Sequence, residues 1–173
     1  MENDMERNVT AYALDFDDVR TYLWASLFVV CNLALPRLCH LMPQGGIVFA
    51  PLSFVILAGA CRLGWKPALL AAAVSPLAGH LLWGMPAWEV LPLMTLKLCV
   101  LAAVAGLALH RAVSVSLGWL VGIVLVSELL GGAVEWLLTG GIAATVCDFT
   151  IGWPGLLLQV VGSWLLARGL GTH

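Results

Sequence analysis

Apolar residues fall along the chain in six long runs, at about 19–35, 47–63, 67–83, 88–109, 117–138 and 153–169, with short polar breaks between them. A membrane-crossing helix needs roughly 20 predominantly apolar residues, and each run is close to that length. The pattern predicts an all-α integral membrane bundle of six transmembrane helices. A lead-in at 1–18 precedes the bundle at 19–169, and a tail at 170–173 follows it. Pro36 is expected to stop the first helix, since it can neither donate a backbone hydrogen bond nor fit behind an intact helical turn.

Composition agrees with this pattern. The chain is 61% hydrophobic and only 10% charged, with a mean hydropathy of +0.99, which is the signature of a lipid-solvated protein. The runs leave no stretch for a second, soluble domain, and a phosphate-binding G-x-x-x-x-G-K-[ST] loop is absent from the sequence. Energy for any active process is therefore expected from another subunit. The lead-in carries Glu2, Asp4, Glu6, Asp15, Asp17 and Asp18, the wrong charge for the basic start of a secretory signal, and is expected to be cytoplasmic.

Basic residues set the orientation, because loops rich in lysine and arginine stay on the cytoplasmic side. With the N-terminus inside, Arg7, Arg20, Arg62, Lys66, Arg111 and Arg168 are cytoplasmic and Arg37 alone is outside. Both termini are expected inside. The segment "LCHLMPQGG" then becomes an external connection, with Pro43 and Gly45–Gly46 shaping a turn that hangs His40 and Gln44 over the outer mouth of the bundle. A plain connector is the alternative.

Polar residues inside the runs are costly in lipid and mark a bundle interior or a cavity. In the fifth run, "ELLGGAVE" places Glu128, Gly131, Gly132 and Glu135 on one stripe, with Glu135 about 10 Å further out than Glu128. The fourth run brings Lys97 inward by about 14 Å, to the depth of Glu128, so a Lys97–Glu128 pair is expected. Gly152, Gly155, Gln159 and Gly162 form a matching small-residue face in the sixth run, and His80 lies near the outer end of the third. The competing readings are structural: a buried ion pair that fixes helix register, and glycine stripes that are packing seams. Trp83, Trp88 and Trp153 are either an interfacial aromatic belt or a stacking surface for a planar ligand.

Catalytic chemistry is not expected. Two carboxylates could exchange protons, but no serine, cysteine or H-E-x-x-H constellation accompanies them. No metal site and no resident cofactor are expected. His40 and His80 leave haem ligation open as an alternative. Cysteines show no C-x-x-C spacing, and Cys39 and Cys147 are the pair expected outside.

The segments "LPRLCHLMPQGGIVFAPLSF", "RLGWKPALLAAAVSPLAGHLLWGMP" with the following "VLPLMTLK", and "DFTIGWPGLLLQVVGSWL" resemble the substrate-binding S components of energy-coupling factor (ECF) transporters. The resemblance implies six helices with cytoplasmic termini in a bacterial inner membrane and a pocket near the outer face, covered by the connection between helices one and two. It implies a ligand that is a vitamin or cofactor precursor, bound through Gln44 on the cover, Lys97 on helix four, Glu128 and Glu135 on helix five and Gln159 on helix six. His40, His80, Trp83 and Trp88 complete the expected binding set. Partners implied are an ECF transmembrane coupling subunit and two ATPase subunits. Small residues of the early helices, Ala25 with Ala68, Ala72 and Ser75, are the expected docking face. Two other classes stay open: a membrane scaffold of the MreD kind, which shares the fold class without carrying vitamins, and a haem-binding membrane protein.

Overall fold

The computed structural model describes residues 14–39, 51–111 and 115–169. Seven helices follow one another there: α1 (Val19–Cys39), α2 (Pro51–Leu63), α3 (Trp65–Trp83), α4 (Leu91–Arg111), α5 (Leu117–Thr139), α6 (Ala143–Thr150) and α7 (Trp153–Gly169). Among the described residues there is no strand. Three helices, α1, α4 and α5, are long and apolar enough to cross a membrane, which marks the chain as a membrane protein. The others depart from the six equal runs of the sequence. Of the second run, the described residues hold the 13-residue α2, and α3 has the length but is diluted by Lys66, two prolines and His80.

Two local expectations change. Pro36 lies inside α1, which continues to Cys39. So near the helix end the missing N–H removes only one internal hydrogen bond, and the last turn persists. The short α6 was not foreseen. Its first apolar turn follows directly on Gly140, which takes a left-handed conformation (φ 73°) and closes α5 by donating its N–H to the Trp136 carbonyl.

Large and small residues divide between the two surfaces of the bundle. Leu81, Leu107 and Leu137 point outward and are among the most exposed apolar side chains, as suits a lipid-facing wall. Inside, alanines carry the packing: Ala60, Ala68, Ala71, Ala72, Ala102 and Ala105 are buried around Ile56, Leu57, Leu120 and Ile123. Lipid gives helices no hydrophobic reason to associate, so close approach of small residues and interhelical hydrogen bonds must hold them. Both are present. A Cβ on Gly59 would lie 2.5 Å from the Phe28 ring, one on Gly106 2.5 Å from Trp65 Cβ, and one on Gly162 2.6 Å from the Phe54 ring. The small-residue face of α7 is thus a seam against α2.

This seam logic overturns the expected docking face. Ala25, Ala68, Ala72 and Ser75 are all buried, with Ala68 and Ala72 fully enclosed. Their small size brings α3 against its neighbours within the chain and leaves no surface for a second protein. Asn32 locks α1 to α3 by donating from Nδ2 to Ser75 Oγ at 3.0 Å, while Ser75 donates to the Ala71 carbonyl at 2.6 Å.

At the opposite end, the residues before α1 are pinned to the α2–α3 turn. Leu14 N donates to the Leu63 carbonyl at 3.2 Å, Lys66 pairs with Asp15, and the Phe16 and Trp65 rings meet edge to face at 6.2 Å. Lys66 also stands 5.2 Å over the Phe16 ring. The hydrogen bonds from Lys66 and the Phe16 N–H hold the Asp15 carboxyl below its ordinary value.

Candidate functional site

A cavity of about 730 Å³ occupies the half of the bundle where α1 and α3 end and α2, α4 and α7 begin. Pockets for small organic ligands span about 300–1,000 Å³, are mostly apolar and carry a few placed polar groups. This one follows that description. Prolines and aliphatic side chains, among them Pro36, Leu52, Pro76, Leu93, Met94 and Leu156, supply most of the wall. Polar groups enter from all seven helices: Asn32 and Arg37 from α1, Ser53 from α2, Ser75 from α3, Lys97 from α4, Ser127 and Glu128 from α5, Asp148 from α6 and Gln159 from α7.

One wall is a tight charged knot. Lys97 Nζ stands 3.0 Å from Asp148 Oδ2 and 3.3 Å from Glu135 Oε2, and donates to Thr145 Oγ1 at 3.0 Å. Thr145 in turn donates to Glu135 Oε2 twice, from its hydroxyl at 2.6 Å and from its backbone N–H at 2.8 Å. That backbone contact has a local cause. Helix α6 starts at Ile142, whose side chain offers no capping oxygen, so its first-turn N–H groups need an outside acceptor. Glu135 provides it from α5, placing a carboxylate at the positive end of the α6 dipole.

The expected Lys97–Glu128 pair is therefore not formed. Equal depth was the reason for expecting it, yet side chains lean toward the N-terminus of their own helix. Helices α4 and α5 run antiparallel, so Lys97 leans toward Glu135 and Glu128 leans the other way. Gly131 permits this, since a Cβ there would lie 3.1 Å from Lys97 Cγ. Gly132 makes room for Thr145 in the same manner, with its Cβ position 3.0 Å from Thr145 Cγ2. The glycine notch of "ELLGGAVE" is filled by a lysine stem and by α6.

A second group of polar side chains keeps individual atoms without a partner among the described residues. Glu128 Oε2, Asn32 Oδ1 and both amide atoms of Gln159 are buried without a hydrogen bond. Gln159 and Asn32 are almost completely enclosed, at 1% and 2% exposure. Each such group costs free energy, about 1–3 kcal/mol, unless something else satisfies it. All three residues line the cavity.

Of the residues expected from sequence, Lys97, Glu128, Gln159 and Trp83 line the cavity. Trp83 stands at its edge beneath the Arg37 guanidinium, which is 5.0 Å from the ring centroid. Glu135 lies behind the wall, committed to Lys97 and α6. His80 and Trp88 do not line it: His80 Nδ1 donates to the Pro86 carbonyl at 2.8 Å, and the His80 ring lies 5.4 Å from that of Trp88. His40 and Gln44 lie outside the described residues, as does the expected cover at 40–46, although Arg37 and Pro51 on either side of it both line the cavity. Cys147 is a free thiol.

Asn32, Thr145 and Asp148 escaped the sequence reading, and Ser75 entered it only as part of the expected docking face. Asp148 had a signal, being the one charged residue between Glu135 and Arg168. Asn32 and Ser75 had little, since small or neutral polar residues inside an apolar run look alike whether they face a cavity or a helix. Among the described residues no group of three or more His, Cys, Asp or Glu side chains is placed to hold a metal ion. No protein-family model, curated protein or solved structure was found to match the chain.

Proposed function

We propose that this chain is the substrate-binding membrane subunit of an ECF-type importer, capturing a vitamin or cofactor precursor at the outer face of a bacterial inner membrane for uptake driven by a separate coupling subunit and its two ATPases. The observation that carries the reading is the cavity itself. It is ligand-sized, mostly apolar, and lined by Asn32, Glu128 and Gln159, whose Oδ1, Oε2 and two amide atoms respectively are buried without partners. A scaffold gains nothing from burying unsatisfied groups around an open space, whereas a binding protein recovers their cost when the ligand arrives.

Six spans with both termini cytoplasmic belong to this proposal. Helices α2, α3 and α7 share one packed core with the three long apolar helices, which supports counting them as spans. Among the described residues, Arg20, Arg62 and Lys66 gather at the end bearing the Asp15 contact, whereas the cavity end has Arg37 at its edge and Lys97 deeper in the wall. With basic residues retained inside, this distribution supports the proposed orientation, in which the cavity opens to the outside.

Gentle purification followed by native mass spectrometry tests the binding step, and proteoliposomes with and without an ATP-driven coupling complex test the transport step. A co-purifying small molecule that accumulates only with the complex and ATP is the expected result. Accumulation by the protein alone means an ion-coupled carrier instead. A protein that carries no small molecule and supports no uptake is a scaffold of the MreD kind.

A further inference from the structure

Resting on the reading of the cavity as a ligand site, we propose that its ligand is an organic cation, an ammonium or amidinium group on an apolar body, received by Glu128. Hydrogen-bond supply and demand inside the cavity decide this. Lys97, the one cation on the inner wall, is already surrounded by Asp148, Glu135 and Thr145, so its donors are spent within the protein. Arg37 stands at the exposed edge of the cavity, over the Trp83 ring, away from the inner wall. Three carboxyl groups, Glu128, Glu135 and Asp148, thus face a single interior ammonium, and the one left over is Glu128, whose Oε2 is buried with no donor.

Asn32 adds to the same side of the balance. One hydrogen of its Nδ2 goes to Ser75, while its acceptor Oδ1 is buried with no donor at all. Gln159 brings an unused donor and an unused acceptor together, and the other neutral donors on the wall are the second Nδ2 hydrogen of Asn32 and the Ser53 hydroxyl. A ligand carboxylate would find only neutral donors on the inner wall, from Gln159, Asn32 and Ser53, and would share the space with the unpaired Glu128 carboxyl. A ligand carrying N–H donors and positive charge would satisfy Glu128 and Asn32 together. Removing a carboxylate from water without a donor is costly, and a cation inside the same low-dielectric space removes that cost. A bare metal ion is a poorer fit, because the surrounding wall is mainly proline and aliphatic carbon and no cluster of ligating side chains is present among the described residues. The apolar wall suits the organic body of such a cation.

Three probes of one shape and different charge separate the possibilities: 1-naphthylmethylammonium, 1-naphthylmethanol and 1-naphthoate, titrated calorimetrically into the purified full chain, with heats into protein-free micelles subtracted. The ammonium should bind at least tenfold more tightly than the alcohol, and the naphthoate more weakly than either. Glu128→Gln should reduce the preference for the ammonium over the alcohol at least tenfold while leaving alcohol binding within threefold. Glu89→Gln, an exposed carboxyl outside the cavity lining, should leave all three unchanged. Naphthoate binding as tightly as the ammonium, or a preference that survives Glu128→Gln, overturns the cation assignment and leaves the binding reading standing. No binding by any of the three overturns both. The comparison on the unmodified protein decides the matter even if Glu128→Gln does not fold.

Discussion

The Lys97 ammonium reaches Glu135 at 3.3 Å by passing over Gly131, and leaves Glu128, its neighbour in depth, without a donor. Lys97 thereby joins three helices: its own α4, α5 through Glu135, and α6 through Thr145 and Asp148. Removing the ammonium leaves two carboxylates facing each other in a partly enclosed space. Lys97→Met should therefore destabilise the protein by about 3–5 kcal/mol, the range for stranding one side of a buried ion pair. Adding Glu135→Gln should recover part of the loss, with an interaction energy of about 0.5–3 kcal/mol in the double-mutant cycle. Reversible unfolding in mixed micelles measures both. Strict additivity would mean that the two groups do not meet.

Glu128 should behave in the opposite way. It gives up no protein hydrogen bond when its charge is removed, so Glu128→Gln should leave stability within about 0.5 kcal/mol of the parent or raise it. Paired with Lys97→Met it should be close to additive in unfolding, since no contact joins the two. Ligand binding is where its effect should show. A Glu128→Gln protein as unstable as Lys97→Met would place Glu128 in the structural knot.

These two carboxylates show what the sequence could and could not reveal. Their common stripe was legible because a helix repeats its face every three to four residues, and Gly131, Gly132 and Glu135 are indeed buried while Leu129, Leu130 and Leu137 are exposed. Which carboxylate takes Lys97 was not legible from depth alone. It depends on the lean of side chains in antiparallel helices and on the eight-residue α6, whose start is capped from a different helix. The membrane class was legible from composition, and so were the cavity residues Lys97, Glu128 and Gln159, because a polar group inside an apolar run is itself the signal. The role of the small residues was not. Ala68, Ala72 and Ser75 have the same spacing whether they pack against another subunit or against α1, α2 and α4, and only the tertiary arrangement separates the two.

Ala72→Trp is accordingly expected to disrupt the fold. The position has no exposed surface, and overpacking a full core costs about 1–3 kcal/mol even for a few added methylenes. Loss of expression or of the thermal transition, accompanied by loss of ligand binding, is the expected outcome. A folded Ala72→Trp protein with intact binding and impaired uptake would restore α3 as a docking face.

Gly106 offers a finer test of the same packing argument. A methyl group there would meet Trp65 Cβ and Cγ at 2.5 Å, and atoms so close to the Trp65 backbone cannot swing aside without moving the start of α3. Gly106→Ala should cost about 1–3 kcal/mol, despite the gain in helix propensity that alanine usually brings. Gly122, on an open face with nothing within 4 Å of its Cβ position, is the control. Gly122→Ala should be neutral or stabilising by the same unfolding measurement. Equal effects at the two positions would count against the close approach of α3 and α4.

The contact between Asp15 and Lys66 should make the attachment of the segment before α1 depend on pH. Asp15 is exposed, and its carboxyl is held below its ordinary value by the Lys66 hydrogen bond, the Phe16 N–H and the nearby ammonium. A carboxyl with a lowered folded value contributes its stabilisation fully above the unfolded value. That contribution is lost as the pH falls through the lower folded value. Attachment should thus be constant at neutral and mildly acidic pH and weaken only below about pH 4, near the ordinary range for an aspartate. Screening keeps the effect small, so the sensitive readout is local: protection of the Leu14 N–H, which is bonded to the Leu63 carbonyl, followed by hydrogen exchange. Asp15→Asn should lower that protection at neutral pH and remove its acid dependence, while the bundle's main unfolding transition stays unchanged. Full protection of Leu14 in Asp15→Asn would show that the Phe16–Trp65 ring contact alone holds the segment.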